Sequence, residues 1–197
     1  AFIYVIAAVA YNLVNGISGQ FSLGPNGFMA LGGYTVALLM LPVIQKQQVY
    51  FLTPLIWPFS VITFPSYLFI LSLILGGLIA AGGAFLIGFP TLRLRGDYLA
   101  IASFGFSEII FVLANNFIPL TNGALGIKGL PQYTNLWWTG GLAFLTVFLI
   151  RNLVNSSFGR ALKAIREDEV AAQAMGINPF RMKLLAFALS GFFAGIA

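Results

Sequence analysis

Long charge-free runs are the dominant feature of this sequence of 197 residues. No charged residue precedes Lys46, and none lies between Lys46 and Arg93. Another charge-free run separates Lys128 from Arg151. Only 8% of the residues are charged, whereas soluble domains average about 25%. Runs of this length fit several membrane spans of roughly 20 residues each, so the sequence predicts an integral membrane protein whose surroundings are the lipid bilayer.

Only helical bundles and closed barrels satisfy every backbone polar group in lipid, and the alternating ten-residue pattern of barrel strands is missing. We therefore predict an all-α fold, with about six spans forming one transmembrane domain over residues 1–197. The predicted spans cover residues 1–14, 27–44, 66–89, 98–117 and 136–150, with a last one from about residue 184. Because the chain starts with Ala1 and stops inside an apolar run at Ala197, we expect a fragment missing both ends.

The basic residues predict how the chain is oriented. Residues 151–183 hold nine of the 15 charges. If this segment is cytoplasmic, alternating spans place eight of the ten Lys and Arg residues on that side and only two outside. The positive-inside rule favours this orientation. The sequence thus predicts a multi-pass cell-membrane protein with residues 151–183 in the cytoplasm.

Small residues recur every four positions in the third predicted span and again near the end of the chain. Such spacing puts them on one helical face, where they allow close packing between helices in lipid. We predict a packing role, with a path-lining role as the alternative. These residues are Gly76, Ala80, Ala84, Gly88, Gly191 and Gly195.

An acidic residue, Glu108, interrupts the fourth predicted span. It lies about 16 Å along a helix from Asp97, near the middle of a bilayer, where a carboxylate is costly unless it is neutralised, paired or hydrated. We expect Glu108, with Gln20, Ser22 and Asn26, to line a translocation path or a subunit interface. The alternatives for Glu108 are a protonated buried acid and a hydrogen bond to Asn115, Asn116 or a partner subunit.

The polar segment 156–183 contains signals for two short helices. Ser156 or Ser157 can cap a helix through residue 165, and Asp168 can cap a second one over residues 169–175. Gly176 would end that helix in a left-handed conformation, and Asn178 with the following proline would open the last span. The second short helix carries a small apolar patch: Val170, Ala171, Ala174 and Met175. This patch suits docking into a groove of a partner protein or lying on lipid.

Several kinds of chemistry are excluded by composition and motif. The chain has no His and no Cys, which removes disulfides, Cys or His metal sites and His acid–base catalysis. It has neither a phosphate-binding G-x-x-x-x-G-K-[ST] loop nor a G-x-S-x-G nucleophile motif. The cations lie between apolar spans, which explains them without a nucleic-acid partner. We predict a chain that is not an enzyme and that binds no metal or cofactor itself.

Six segments in order resemble the LivM-type permease subunit of branched-chain amino acid ABC importers. They are residues 15–24 (NGISGQFSLG), 28–34 (FMALGGY), 91–101 (TLRLRGDYLAI), 105–110 (GFSEII), 120–127 (LTNGALGI) and 158–177 (FGRALKAIREDEVAAQAMGI). The resemblance covers nearly the whole chain. It implies a second homologous permease, two ATPase subunits that carry ATP and Mg, and an extracytoplasmic substrate-binding protein as partners.

The resemblance also implies that residues 167–177 form the cytoplasmic loop that couples the permease to an ATPase. In the importer loop pattern E-A-A-x-x-x-G, this chain keeps Ala171, Ala172 and Gly176, but it has Val170 in place of Glu, with Glu169 one position earlier. The residues expected to couple to the ATPase are Arg166, Glu167, Asp168, Glu169, Ala171, Ala172, Gly176 and Ile177.

The function implied is translocation of branched-chain or other neutral amino acids. A urea or amide permease is the close alternative, since related importers share the scaffold. The alternative of another class is a gradient-driven carrier or channel in which Glu108 is the proton site. The cytoplasmic patch at residues 170–175 distinguishes these classes, because a carrier needs no groove of a partner at that position.

Overall fold

The computed structural model of the chain describes residues 1–50, 55, 63–93 and 97–197, and most of these residues lie in helices. The all-α bundle predicted from the sequence is confirmed. The helices are α1 (Phe2–Asn12, continued by a π-helical turn at Leu13–Ile17), α2 (Pro25–Met40), α3 (Val43–Val49), α4 (Phe69–Thr91, preceded by a 3-10 turn at Ser66–Leu68), α5 (Asp97–Asn116), α6 (Ile118–Thr121, followed by a 3-10 turn at Gly123–Leu125), α7 (Leu136–Asn155), α8 (Ser157–Glu167), α9 (Glu169–Ala174) and α10 (Pro179–Ile196).

Four helical stretches in the described part of the chain are long and apolar enough to cross a membrane: Ser66–Thr91, Tyr98–Asn116, Leu136–Asn155 and Pro179–Ile196. The apolar stretch Phe2–Ile17 is shorter. The second predicted span ends earlier than expected, at Met40, because Leu41 and Pro42 adopt extended conformations. The fifth extends five residues beyond residue 150 and ends at Asn155.

The core of the bundle is a three-helix contact between α2, α4 and α10, in which glycines bring backbones together. A Cβ at Gly32 would collide with the backbone of Gly195, and one at Gly191 would collide with the Ala84 side chain. A Cβ at Gly76 would lie 3.0 Å from the Gly32 carbonyl oxygen. The small-residue faces predicted from the sequence therefore lie at this contact, where the absence of side chains permits close approach.

The charged connections lie at opposite ends of the bundle. At one end, the Arg93 guanidinium lies 4.9 Å from the centre of the Phe89 ring, which also contacts Phe180 at the start of α10. At the other end, the loop containing Lys128 approaches α3, which contains Lys46. This is the separation on which the orientation argument depends. Arg95, which that argument also used, lies outside the described residues.

A buried tyrosine, Tyr50, holds the end of α3 against α6. The Tyr50 hydroxyl donates a hydrogen bond of 2.6 Å to the Leu120 carbonyl, which joins α3 to α6. Burial, with a smaller effect from the nearby Tyr34, raises the pKa of Tyr50 to about 12. The hydroxyl therefore remains a donor well above neutral pH.

Candidate functional site

A non-helical segment, residues 18–24, interrupts the bundle between the π-helical turn and α2. Backbone carbonyls of the π-helical turn hold its first residues, and side chains hold its later ones. The Leu23 amide donates to the Ser103 hydroxyl at 2.9 Å, and the Gly27 amide donates to the Ser107 hydroxyl at 3.1 Å. Non-helical backbone at membrane depth is tolerated where protein or a water-filled cavity surrounds it. Two serines one turn apart on α5 thus position the entry to α2.

Arg166 connects this region to the short helices α8 and α9. Its Nη1 donates a hydrogen bond of 2.8 Å to the Gly16 carbonyl, at the end of the π-helical turn, where carbonyls lack intrahelical partners. Gly19 has a positive φ of 68°, and a Cβ there would lie 2.6 Å from Cγ of Arg166. The resemblance implied an ATPase contact for Arg166, whereas in the structure its guanidinium donates hydrogen bonds to Gly16 and Glu167 of its own chain.

A small cavity lies between the start of α2 and the middle of α5, and we call it the Glu108 cavity. Its volume is about 150 Å³. It is lined by Leu23, Asn26, Gly27, Ala30, Phe104, Ser107, Glu108 and Phe111. Glu108 is exposed at the surface of this chain. Within the described residues, the Glu108 carboxylate has no hydrogen bond or ion pair, and the Asn116 amide instead donates to the Val112 carbonyl.

The structure brings together two of the four residues expected to line a path, Asn26 and Glu108, in this cavity. Gln20 and Ser22 lie just before α2 and are buried. The Ser22 hydroxyl accepts a hydrogen bond from the Gly24 amide at 3.4 Å. The Gln20 side-chain amide is 4% exposed and has no hydrogen-bond partner in the described part of the chain.

The predicted caps of the short helices are confirmed. The Ser156 hydroxyl accepts from the Gly159 amide at the start of α8, and one Asp168 carboxylate oxygen accepts from two amides of α9 at 2.8 and 3.0 Å. Gly176 has φ 82°, and the Asn178 side chain accepts from the Arg181 amide at the start of α10. Helix α8 runs two residues further than expected, to Glu167, and α9 ends at Ala174.

The apolar patch predicted on α9 is exposed, whereas one residue of the expected coupling surface, Ala172, is buried. Val170 and Met175 are 76% and 83% exposed, and Ala171 and Ala174 are exposed beside them. Ala172 is only 4% exposed. The interpretation of Ala172 as a contact for a partner is therefore corrected: its side chain faces the interior, because the capped helix turns that side toward its own chain. We call the four exposed residues the α9 patch.

The charged residues around α9 are engaged within the chain. Glu169 accepts a hydrogen bond from the Lys183 ammonium at 2.8 Å, which ties α9 to α10. Glu167 pairs with its neighbour Arg166 at 2.6 Å. Gly176 is exposed and Ile177 is half-buried, just beyond the helix. These contacts give α9 a fixed position from which the α9 patch points outward.

The roles of Ser103 and Ser107 were not predicted from the sequence. Both are buried serines in an apolar helix, where the usual interpretation is a hydrogen bond to the preceding turn, and Ser103 also makes one, to Ala100. The available signal was their spacing of four, which puts two acceptors on one helical face. That spacing does not indicate which backbone amides donate hydrogen bonds to the two hydroxyls.

The four long apolar helices of the described residues are those of a multi-pass membrane protein. The chain matches over residues 1–197 the family described as the permease component of branched-chain amino acid transport systems. It belongs to that family.

Relatives in three organisms give the same assignment. The chain is 35% identical over 229 aligned positions to the high-affinity branched-chain amino acid transport system permease protein LivM of Salmonella typhimurium and equally to that of Escherichia coli, covering 99% of this chain and 49% of each relative. It is 26% identical over 141 positions to the probable LivM of Methanocaldococcus jannaschii, covering 65% of this chain and 40% of that protein. The chain thus spans about half the length of these relatives. No solved structure matches it.

Proposed function

We propose that this chain is part of a permease subunit of an ATP-driven importer that moves branched-chain or similar neutral amino acids across the cell membrane of a bacterium or archaeon. The observation that carries the proposal is the family match over the full chain. The 35% identity to two permeases whose names specify branched-chain amino acid transport supports the choice of substrate.

ATP hydrolysis belongs to two separate ATPase subunits in this proposal, and these subunits hold the ATP and Mg. Their docking surface on this chain is the α9 patch. The exposed Val170 and Met175 side chains present apolar area at the end of the bundle that carries most of the cations. Exposed apolar patches of this kind are typical of protein contacts. Because residues 151–183 include this patch, they lie in the cytoplasm.

A motion of the docked helices reaches the bundle through two contacts. The Glu169–Lys183 ion pair joins α9 to α10, and the Arg166–Gly16 hydrogen bond joins α8 to the π-helical turn. The second contact leads directly to segment 18–24, whose Leu23 amide donates to Ser103 of α5. ATP-driven closure of the ATPases would move α8 and α9, and this segment would shift with them, opening the path alternately to the two sides.

The translocation path lies along the exposed face of α5. This face carries large apolar side chains, among them Phe104 and Phe111, and the Glu108 carboxylate. A carboxylate at this depth is not stable against lipid. A second homologous permease covers this face, and the path runs between the two subunits. An extracytoplasmic binding protein delivers the amino acid at the end of the bundle near Lys46 and Lys128.

The test is leucine uptake by vesicles containing the complete importer purified through this subunit. We expect two ATPases and a second permease to co-purify with this subunit. We also expect leucine uptake to require ATP on the side of the vesicle membrane that carries the ATPases. Uptake that continues without ATP but stops when the proton gradient is collapsed would contradict the proposal and identify a gradient-driven carrier. Uptake of urea or an amide in preference to leucine would change the substrate but not the class.

A further inference from the structure

The Glu108 cavity contains two polar side chains with unused hydrogen-bonding capacity. Ser107, the third polar residue of its lining, already accepts the Gly27 amide. Within the described residues, the Glu108 carboxylate and the Asn26 side-chain amide have no hydrogen-bond partner, and both line the same cavity. A carboxylate only accepts hydrogen bonds when ionised, whereas an amide also donates two. The cavity therefore offers a place for a cationic group next to a donor for an anionic one.

The charge of Glu108 needs a partner that the described chain does not provide at that depth. Lys46 and Lys128 belong to one end of the bundle, and Arg93, Arg166 and the other described cations belong to the opposite end. Glu108 lies eight residues before the end of α5 at Asn116 and eleven after its start. A cation that enters the cavity would neutralise this carboxylate and remove the cost of holding it in the membrane.

The remaining walls are apolar. Leu23, Phe104 and Phe111, which are 42%, 50% and 61% exposed, line the cavity together with Glu108. Aromatic faces attract an ammonium group as well as alkyl chains. A cavity of about 150 Å³ has room for a small molecule but not for a helix of a partner.

We propose that the Glu108 cavity is a substrate-binding site for a neutral amino acid in its zwitterionic form. The Glu108 carboxylate accepts the substrate ammonium, the Asn26 amide donates to the substrate carboxylate, and the alkyl side chain packs on Leu23, Phe104 and Phe111. This inference rests on the proposed function, because it assumes that an amino acid enters the path along α5. No bond is formed or broken; the substrate exchanges water for these groups.

The experiment uses cysteine protection, for which the absence of native cysteine in this chain is an advantage. In the complete importer, Ala30→Cys places one thiol in the cavity wall, and its rate of reaction with N-ethylmaleimide is measured on this subunit. Leucine and 3-methylbutylamine, which lacks the carboxylate, should slow the reaction at millimolar concentration. The amine-free analogue 4-methylpentanoate should not. In Ala30→Cys with Glu108→Gln, the concentration of the amine needed for half-protection should rise at least tenfold, and Glu108→Asp should retain protection.

Each other outcome overturns the site. A thiol that does not react shows a face closed to water, and equal protection by the amine and the acid shows that Glu108 does not select the ammonium. Unchanged protection by the amine in Glu108→Gln shows the same. ATP-dependent leucine uptake by the wild-type vesicles is measured in parallel. If uptake is present but protection is absent, this inference fails and the proposed function stands; if uptake is absent, the proposed function itself fails.

Discussion

Two neighbouring glycines of α2 offer a sharp test of the packing that holds the bundle together. Gly32 is buried, and a methyl group there would collide with the backbone of Gly195 on α10. Gly33 is exposed, and a methyl group there meets no atom within 4 Å. The same substitution by alanine at adjacent positions should therefore have opposite effects.

The magnitudes follow from what each methyl group would meet. Overpacking a core costs typically about 1–3 kcal/mol, and at Gly32 the obstacle is backbone, which cannot rotate away, so we expect about 3 kcal/mol of destabilisation. At Gly33 the better helix propensity of alanine gives a neutral result or a gain of up to about 1 kcal/mol. For a chain of this size, 3 kcal/mol corresponds to a fall in Tm of roughly 6–12 °C.

The assay is the thermal stability of the purified importer in detergent, followed by the loss of its monodisperse peak in size-exclusion chromatography. Gly33→Ala is the matched control because it adds the same methyl group one residue away on the same helix. A Gly32→Ala complex that melts within about 1 °C of wild type would refute the backbone-contact argument. A Gly33→Ala complex that loses as much stability as Gly32→Ala would refute it too, since the effect would then belong to any glycine of α2.

Three further predictions concern the α9 patch, the hydrogen bond between Arg166 and Gly16, and the buried hydroxyl of Tyr50. Val170→Glu should reduce co-purification of the ATPases at least tenfold because it places a charge on the α9 patch. Gln173→Glu, at an exposed position outside the patch, should leave co-purification unchanged. Equal recruitment of the ATPases by both variants would indicate that α9 lies on lipid instead. Arg166→Gln should keep ATPase recruitment but lower ATP-driven uptake at least fivefold, since the hydrogen bond to Gly16 is lost, and normal uptake would show that the contact transmits nothing. Tyr50→Phe should lower the free energy of unfolding by about 1 kcal/mol below pH 10, because the hydrogen bond to Leu120 is lost. Since folding raises the pKa of Tyr50 from 10 to about 12, the stabilisation that the hydroxyl gives to the wild type should disappear between pH 10 and 12. If the Tm of the wild type falls no more than that of Tyr50→Phe over this pH range, the prediction is wrong.

Local chemistry explains which features could be predicted from the sequence. The caps Asp168 and Asn178 act within three residues of themselves, so their sequence neighbours contain all the necessary information. The small-residue spacing likewise marked a packing face without its partner. The partner, Gly32 on α2, was not predicted. A glycine in the sequence indicates that another backbone can come close, but it does not indicate which backbone does.

The parts that were missed depend on contacts between distant segments. The direction of Ala172 is set by where α9 rests on the chain, and the helix pattern alone allowed it to face outward. Ser103 and Ser107 accept hydrogen bonds from backbone amides 80 positions away in the sequence. Arg166 donates to a carbonyl 150 positions away. A prediction from spacing cannot supply these pairs, since each one depends on how the whole bundle closes.

The packing of α4 against α10 has a consequence for how the chain is made. Helix α4 leaves the ribosome well before α10, with α5 to α9 synthesised in between, which takes seconds at ordinary elongation rates. During that interval the small-residue face of α4 meets lipid, which fills its grooves poorly compared with another helix. The three-helix core can close only after α10 is inserted. Nascent chains that stop before residue 179 would therefore present an unfinished glycine face, which membrane chaperones and proteases could use to distinguish incomplete permeases from complete ones.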